Sequence, residues 1–371
     1  VVSKQGVKRM ANEKITIKMV SEKAQVSKTT VSRFLNGKYE FMSESTKKRI
    51  EAVIKELDYR PNAMAQSLKS NKTGLIGLVI ADMTHPLTSL LIKGINDACE
   101  KQSFQLIITD ADNDPAKERE KIQSLIDRQV EGIIINATGG NEDFIHTLQQ
   151  QGNKIVLADC TFADHSIDSV TIDYEKATSE LLKKVYAEGF EKVAFFSQPL
   201  QDRLAKKKHG DFIEVTERFV KHTSRLTYII DENNDMLEEC QDLIHSFLQA
   251  HKDEYLAIFA ESSVVTANLL VAIYQMGLKI PEDIGICGYD ELGWIKGLTG
   301  NVSTISKPAH QIGSEAAELL FKRINKQKEQ YKPKHIEIPA RITLTDSTQL
   351  TDNNFDKIVI KLNQANKPFI K

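Results

Sequence analysis

The chain has 371 residues, of which 41% are hydrophobic and 27% charged, enough for a large core divided among two or three folding units. No apolar run is long enough to span a bilayer, and the first residues lack an apolar signal region, so the expected location is the cytoplasm with no membrane partner. A net charge of −2 conceals an asymmetry, because residues 1–72 carry 16 Lys+Arg against 7 Asp+Glu while the remainder carries 33 against 44; a basic small unit on an acidic large one suits a polyanion for the first and a different partner for the second.

Residues 1–15 show no periodicity and read as a flexible extension, with Met10 a candidate natural start. From Thr16 two short helices are expected. Ile17, Val20, Ala24 and Val26 form one small apolar set, and Val31, Phe34 and Leu35 form a second at helical spacing. Ser27 is placed to cap the second helix, and Asn36-Gly37 ends it with a pair tolerant of left-handed backbone. Lys28, Thr29, Ser32 and Arg33 are left on the outer face. Two short helices joined by a tight turn, with an outward basic and hydroxyl-bearing face, have what reading a major groove requires.

The run from Thr16-Ile17 through Val20 and Ala24 to Val26-Ser27-x-x-Thr30-Val31-Ser32-Arg33-x-Leu35-Asn36 resembles the headpiece of the lac repressor family of transcription factors. The resemblance implies base reading by Lys28, Thr29 and Arg33, with Ser27, Thr30, Ser32 and Asn36 contacting phosphate or packing, and Thr16 beside them in the DNA-contacting set. Two positions depart from the family pattern: Gln25 stands where Gly is usual in the turn, and Met19 where Asp is usual. A turn that needs positive φ would strain Gln25. A third helix follows Ser43, with Ile50, Val53, Ile54 and Leu57 in register; Ser43 is a cap or phosphate-contact candidate.

The segment Tyr59-x-Pro61-Asn62-x-x-Ala65-x-x-Leu68 matches the family's hinge pattern. The resemblance implies a helix that orders when two copies pair on DNA, with Tyr59, Asn62 and Ala65 in the contacting set and Leu68 wedged into the minor groove. The expected organisation is an extension (1–15), a headpiece (16–60), a hinge (61–73), a two-lobed body (74–348) and a tail (349–371) that lacks a leucine heptad for tetramer formation.

From Leu75 strands alternate with helices: strand 75–81, helix 87–102, strand 104–110, helix 115–129, strand 132–136, helix 142–151 and strand 154–159. The rhythm restarts after Thr171 with helix 174–189, strand 192–197, helix 211–222, strand 226–230, helix 235–251, strand 255–260, helix 263–276 and strand 284–288, before helix 309–326 and a closing stretch 336–344. This gives an α/β body of two doubly wound lobes. Lobe 1 is expected over 74–171 with 304–332, and lobe 2 over 172–303 with 333–348. By resemblance the body is like the type I periplasmic binding proteins, with a small ligand held between lobes at strand C-terminal ends.

Candidate ligand residues follow those strands. Asp82 with Thr84, Thr88 and Ser89 comes after the first strand, Asp110 after the second, Asp159 near the lobe boundary, and Asp290 in Gly288-Tyr289-Asp290-Glu291, which matches the family's ligand loop. Such carboxylates can hold sugar hydroxyls by charge-assisted bonds. Where the family carries Ala-Asn-Asp this chain has Ala260-Glu261-Ser262, and its ligand arginine could correspond to Arg203, Lys207 or Lys208. Lysine does not reproduce the guanidinium fork but suits an anionic sugar acid or sugar phosphate. Within the family, the segments Asn36–Ser43 and Asp110–Asp114 are similar to regulators of keto-deoxy-gluconate and related sugar-acid use.

Nothing in the chain argues for catalysis: it has no phosphate-binding loop, dinucleotide turn, zinc-protease helix or nucleophile elbow. Four separated cysteines and nine scattered histidines make no metal or redox pattern, so no cofactor is expected. The reading is a homodimeric repressor on a near-palindromic operator, governed by a small carbohydrate or sugar-acid effector, with a phosphocarrier protein as a further partner open by analogy. The rival readings are a carbohydrate-binding sensor module and a sugar-acting α/β enzyme with a basic extension.

Overall fold

The computed structural model describes residues 15–59, 72–200, 203–220, 226–231, 235–289, 302–325 and 332–350. The chain divides into two compact units that meet at Gly74 and Leu75.

The first unit holds α1 (Ile17–Lys23), α2 (Lys28–Leu35), a 3-10 turn (Tyr39–Phe41) and α3 (Glu44–Glu56). Each α-helix is opened by a hydroxyl: Thr16, Ser27 and Ser43 accept from the backbone N–H of Met19, Thr30 and Thr46. A cap of this kind contributes about 1 kcal/mol. Val20, Ala24, Val31 and Ile50 are wholly buried where the three helices meet, with Val53 beside them. The α1–α2 turn takes Gln25 to φ 52 and Gly37 ends α2 at φ 70. The strain expected at Gln25 is therefore present, at a cost of roughly 1–2 kcal/mol for a residue with a Cβ.

The described part of the second unit carries two six-stranded sheets. Its strands are β1 (Leu75–Ile80), β2 (Gln105–Asp110), β3 (Gly132–Ile135), β4 (Ile155–Ala158), β5 (Asp168–Thr171), β6 (Lys192–Ser197), β7 (Thr227–Ile229), β8 (Leu256–Ala260), β9 (Gly285–Tyr289), β10 (Ser303–Ser306), β11 (His335–Glu337) and β12 (Arg341–Thr343). The helices are α4 (Thr88–Lys101), α5 (Pro115–Asp127), α6 (Glu142–Gln150), α7 (Tyr174–Ala187), α8 (Arg203–Glu217), α9 (Met236–Ala250), α10 (Ser263–Gln275) and α11 (Ala309–Asn325). The strand orders are β11-β5-β4-β3-β1-β2 and β12-β10-β9-β8-β6-β7. All pairings are parallel except β10 with β12. The central strands are continuous apolar runs such as Leu75-Ile-Gly-Leu-Val-Ile80 because helices cover both faces.

Three features differ from the sequence expectation. Strands β5 and β10 were not expected, since Asp168-Ser-Val-Thr171 and Ser303-Thr-Ile-Ser306 are short and hydroxyl-rich; all but Ser306 are buried. Helix α8 begins at Arg203 rather than near Asp211. The lobe boundaries also change. Residues 304 and 305, expected in lobe 1, pair with β9 in the second sheet, and residues 335–337, expected in lobe 2, pair with β5 in the first. Each sheet acquires its edge strand from a late segment, so the chain crosses between lobes after β5, β10 and β11.

Candidate functional site

On the headpiece, Lys28, Thr29, Arg33 and Asn36 are exposed, with Ser32 and Thr30 half-buried beside them. Ser27 Oγ lies 2.9 Å from Thr30 Oγ1, and Asn36 Nδ2 donates to Ser32 O at 2.8 Å. Hydroxyls on this face are thus oriented by the helix itself. The Arg33 guanidinium sits 5.1 Å from the centre of the Phe41 ring, and Lys47 Nζ lies 4.4 Å from that of Tyr39. Sequence reasoning missed the two aromatics as partners of these cations. Tyr59 packs against the headpiece core, and burial pushes its pKa up. Asn62, Ala65 and Leu68 lie outside the described residues, as does Asp290.

Between the sheets lies a cavity of about 1010 Å³ lined by both lobes. From the first lobe come Asp82 after β1, Asn136–Gly139 after β3 and Asp159–Ala163 after β4. The second lobe supplies Gln198 after β6, Lys206–Lys208 on α8 and Glu261-Ser262 after β8, while Lys307 lies on the crossing after β10. Parallel strands deliver these residues because their C-terminal ends all open on one crevice.

Asp82 accepts from the Thr84 backbone N–H at 2.7 Å and its hydroxyl at 2.6 Å, and the Thr88 hydroxyl donates to the Asp82 carbonyl at 2.9 Å. All three residues line the cavity while closing the β1–α4 turn. Asp110 accepts from the Asp112 N–H and does not line the cavity. The loop after β3 is fixed from beneath by buried Glu118, which accepts from Thr138 N at 2.6 Å and Asn141 Nδ2 at 2.9 Å. Burial raises the Glu118 pKa against the opposing pull of these donors.

The three cation candidates on α8 separate cleanly. Lys208 is buried and donates to Glu261 Oε1 at 2.9 Å and Glu261 O at 3.2 Å, with its ammonium 5.0 Å from the centre of the Tyr289 ring. Lys207 sits at the rim, 47% exposed, and pairs with Asp211. Arg203 opens α8, and its side chain lies outside the described set. Burial alone would raise the Glu261 pKa, but Lys208, joined by Lys307, outweighs it and holds the carboxyl below its ordinary range.

Asp159, at φ 61, accepts from Tyr174 OH at 3.0 Å and from Lys307 Nζ at 2.7 Å. Lys307 and Tyr174 were not singled out in the sequence. A Lys-Pro pair just ahead of a helix was the available signal. Among the described residues no group of three His, Cys, Asp or Glu could hold a metal, and no helix is long and apolar enough to cross a membrane.

Residues 73–347 match the model of periplasmic binding proteins and the sugar-binding domain of the LacI family, and residues 16–62 match bacterial regulatory proteins of the lacI family. The chain belongs to the LacI family. It is 34% identical over 341 residues to the HTH-type transcriptional regulator KdgR of Bacillus subtilis (strain 168), covering 92% of this chain and all of that one. It is 31% identical to the probable regulator EndR of Paenibacillus polymyxa, across 85% of this chain and 92% of the relative. The lac repressor dimer bound to operator and the anti-inducer ONPF shares the fold, with a TM-score of 0.79 at 20% identity over 91% of this chain and 100% of that one. Both relatives are named as transcriptional regulators. This LacI-family chain is accordingly a DNA-binding transcriptional regulator, its headpiece matching the family's regulatory-protein model and its two lobes the model of periplasmic binding proteins and the family's sugar-binding domain. The subfamily resemblance seen in the sequence agrees with the likeness to KdgR.

Proposed function

We propose that this LacI-family regulator is a homodimeric repressor of carbohydrate or sugar-acid utilisation genes, and that an anionic sugar acid between the lobes sets its affinity for a near-palindromic operator. The observation that carries this reading is the cavity itself, a space of about 1010 Å³ between the two sheets whose walls hold Lys206, Lys207, Lys208 and Lys307. Sugar hydroxyls find acceptors in Asp82 and Glu261, and an acid group finds ammonium groups. Lys28, Thr29 and Arg33 take the base-reading role and Ser27, Thr30, Ser32, Asn36, Thr16 and Ser43 the phosphate side, with Tyr59, Asn62, Ala65 and Leu68 acting at the hinge.

The test is selection from random duplexes at near-physiological salt, followed by titration of the recovered site with sugar acids and uncharged sugars. Recovery of a palindrome with half-sites about one helical turn apart is expected, as is a shift in affinity with an acid and not with its uncharged counterpart. Arg33→Ala should lower the ratio of operator to random-DNA affinity by about tenfold or more. An unchanged ratio would remove Arg33 from base reading, and operator affinity indifferent to every sugar acid would remove the effector assignment.

A further inference from the structure

The loop from β3 to α6 meets the cavity with small residues. Asn136, Ala137, Thr138 and Gly139 line the space, and the Asn136 side chain turns aside to donate to the Ala158 carbonyl at 3.1 Å. Gly139 and Gly140 follow at φ 97 and φ 83. Two successive left-handed glycines give a tight bend without side chains of its own to brace it. Where this backbone sits is therefore decided by what holds it from below.

That support is a buried polar network on the first turn of α5. Glu118 is wholly buried, and Thr138 and Asn141 are each 5% exposed. The Thr138 backbone N–H donates to Glu118 Oε2 at 2.6 Å, and Asn141 Nδ2 donates to Glu118 Oε1 at 2.9 Å. Asn141 Nδ2 also donates to the Pro115 carbonyl at 2.6 Å, while Asn141 Oδ1 accepts from Arg119 Nη2 at 3.2 Å. The two donors flank the glycine pair, one on each side. An ionised carboxylate accepts at both oxygens, whereas a carboxamide of the same size accepts at one and donates at the other. The chemistry of residue 118, rather than its volume, sets the shape of the bend.

Resting on the reading of this cavity as the effector site, we propose that Glu118 is a positioning residue for the effector: its carboxylate clamps the bend from both sides and fixes the first-lobe wall formed by Thr138 and Gly139. It does so from outside the cavity, whose lining does not include it. Turning one acceptor into a donor sets two buried donors against each other, and the loop must shift to relieve them. Effector affinity then falls although no cavity-lining side chain has changed.

The experiment is calorimetric titration of the full chain with keto-deoxy-gluconate, gluconate and glucose, alongside operator binding without ligand. The proteins are the wild type, Glu118→Gln, Asn141→Asp and the double variant E118Q/N141D. Glu118→Gln should weaken binding of the sugar acid by about tenfold, and Asn141→Asp, which sets carboxylate against carboxylate, by at least as much. The double variant reverses the direction of one hydrogen bond, with the new amide donating to the new carboxylate, and keeps an acceptor for both Thr138 N–H and Arg119. Its affinity should return to within about threefold of wild type, a coupling that general loss of stability does not produce. Because the swap restores the pairing, it tests the clamp even if either single variant fails to fold. Wild-type affinity in Glu118→Gln, or a double variant no better than the single ones, overturns the proposal with the effector class intact. Operator affinity without ligand that falls in step with effector affinity would overturn it too, making Glu118 a support of the whole body. A wild type that binds neither acid removes the effector class and this role of Glu118 with it.

Discussion

The sequence offers Arg33 for the base-reading role proposed above, but it gives no sign of the ring beside it. The Phe41 ring, 60% exposed, lies 5.1 Å from the guanidinium, and an exposed cation–π contact contributes about 0.5–1 kcal/mol. If Arg33 reads a base as proposed, Phe41→Ala should reduce discrimination at that base by about two- to fivefold, with affinity for random DNA nearly unchanged. Competition binding against single-base operator variants checks this. An equal loss on all sequences would make Phe41 a general support. The α8 lysines show the same limit. Residues 206 to 208 project about 100° apart on a helix, so their roles depend on where α8 starts, and its start at Arg203 turns Lys208 inward and leaves Lys206 exposed.

Helices and strands with strong periodicity were readable: β1, α4, α5, β6, α7, α9 and α10 each fall within two residues of expectation at both ends. The weak elements were those whose stability is borrowed from neighbours. β5 and β10 have too few apolar residues to announce themselves and form by pairing with β4, β11, β9 and β12. The packing of α4 on α11 rests on two glycines that composition alone does not single out. A Cβ at Gly313 would lie 2.3 Å from the Leu91 carbonyl oxygen, and one at Gly94 only 1.9 Å from that of His310. Gly313→Ala should cost about 1–3 kcal/mol through forced separation of the helices. A lowered urea midpoint would confirm this, whereas an unchanged midpoint would show that the helices can part without loss.

At the scale of the molecule, the headpiece core around Val20, Val31 and Ile50 is small and separate from the body's clusters. A domain of that size buries a modest fraction of its surface and is marginal alone. Calorimetry should resolve two unfolding transitions, the lower from the headpiece, and operator DNA should raise the lower one by mass action. A single transition insensitive to DNA would deny that the headpiece is the DNA-binding unit. Operator affinity should also fall steeply with salt, as phosphate contacts release counterions.

Local signals determined the headpiece and the body plan. The hydroxyl caps at Ser27 and Ser43, the apolar spacing of Val31 to Leu35 and the strand–helix alternation from Leu75 each act within a few residues, so they are present in the sequence itself. Tertiary structure decided what depends on distant partners. The choice of Lys208 over Lys207 for Glu261, the return of β11 to the first sheet beside β5, and the Lys307–Asp159 pair join residues separated by 53 to more than 160 positions. Contacts at that separation are set by how sheets and crossings pack, and no local pattern encodes them.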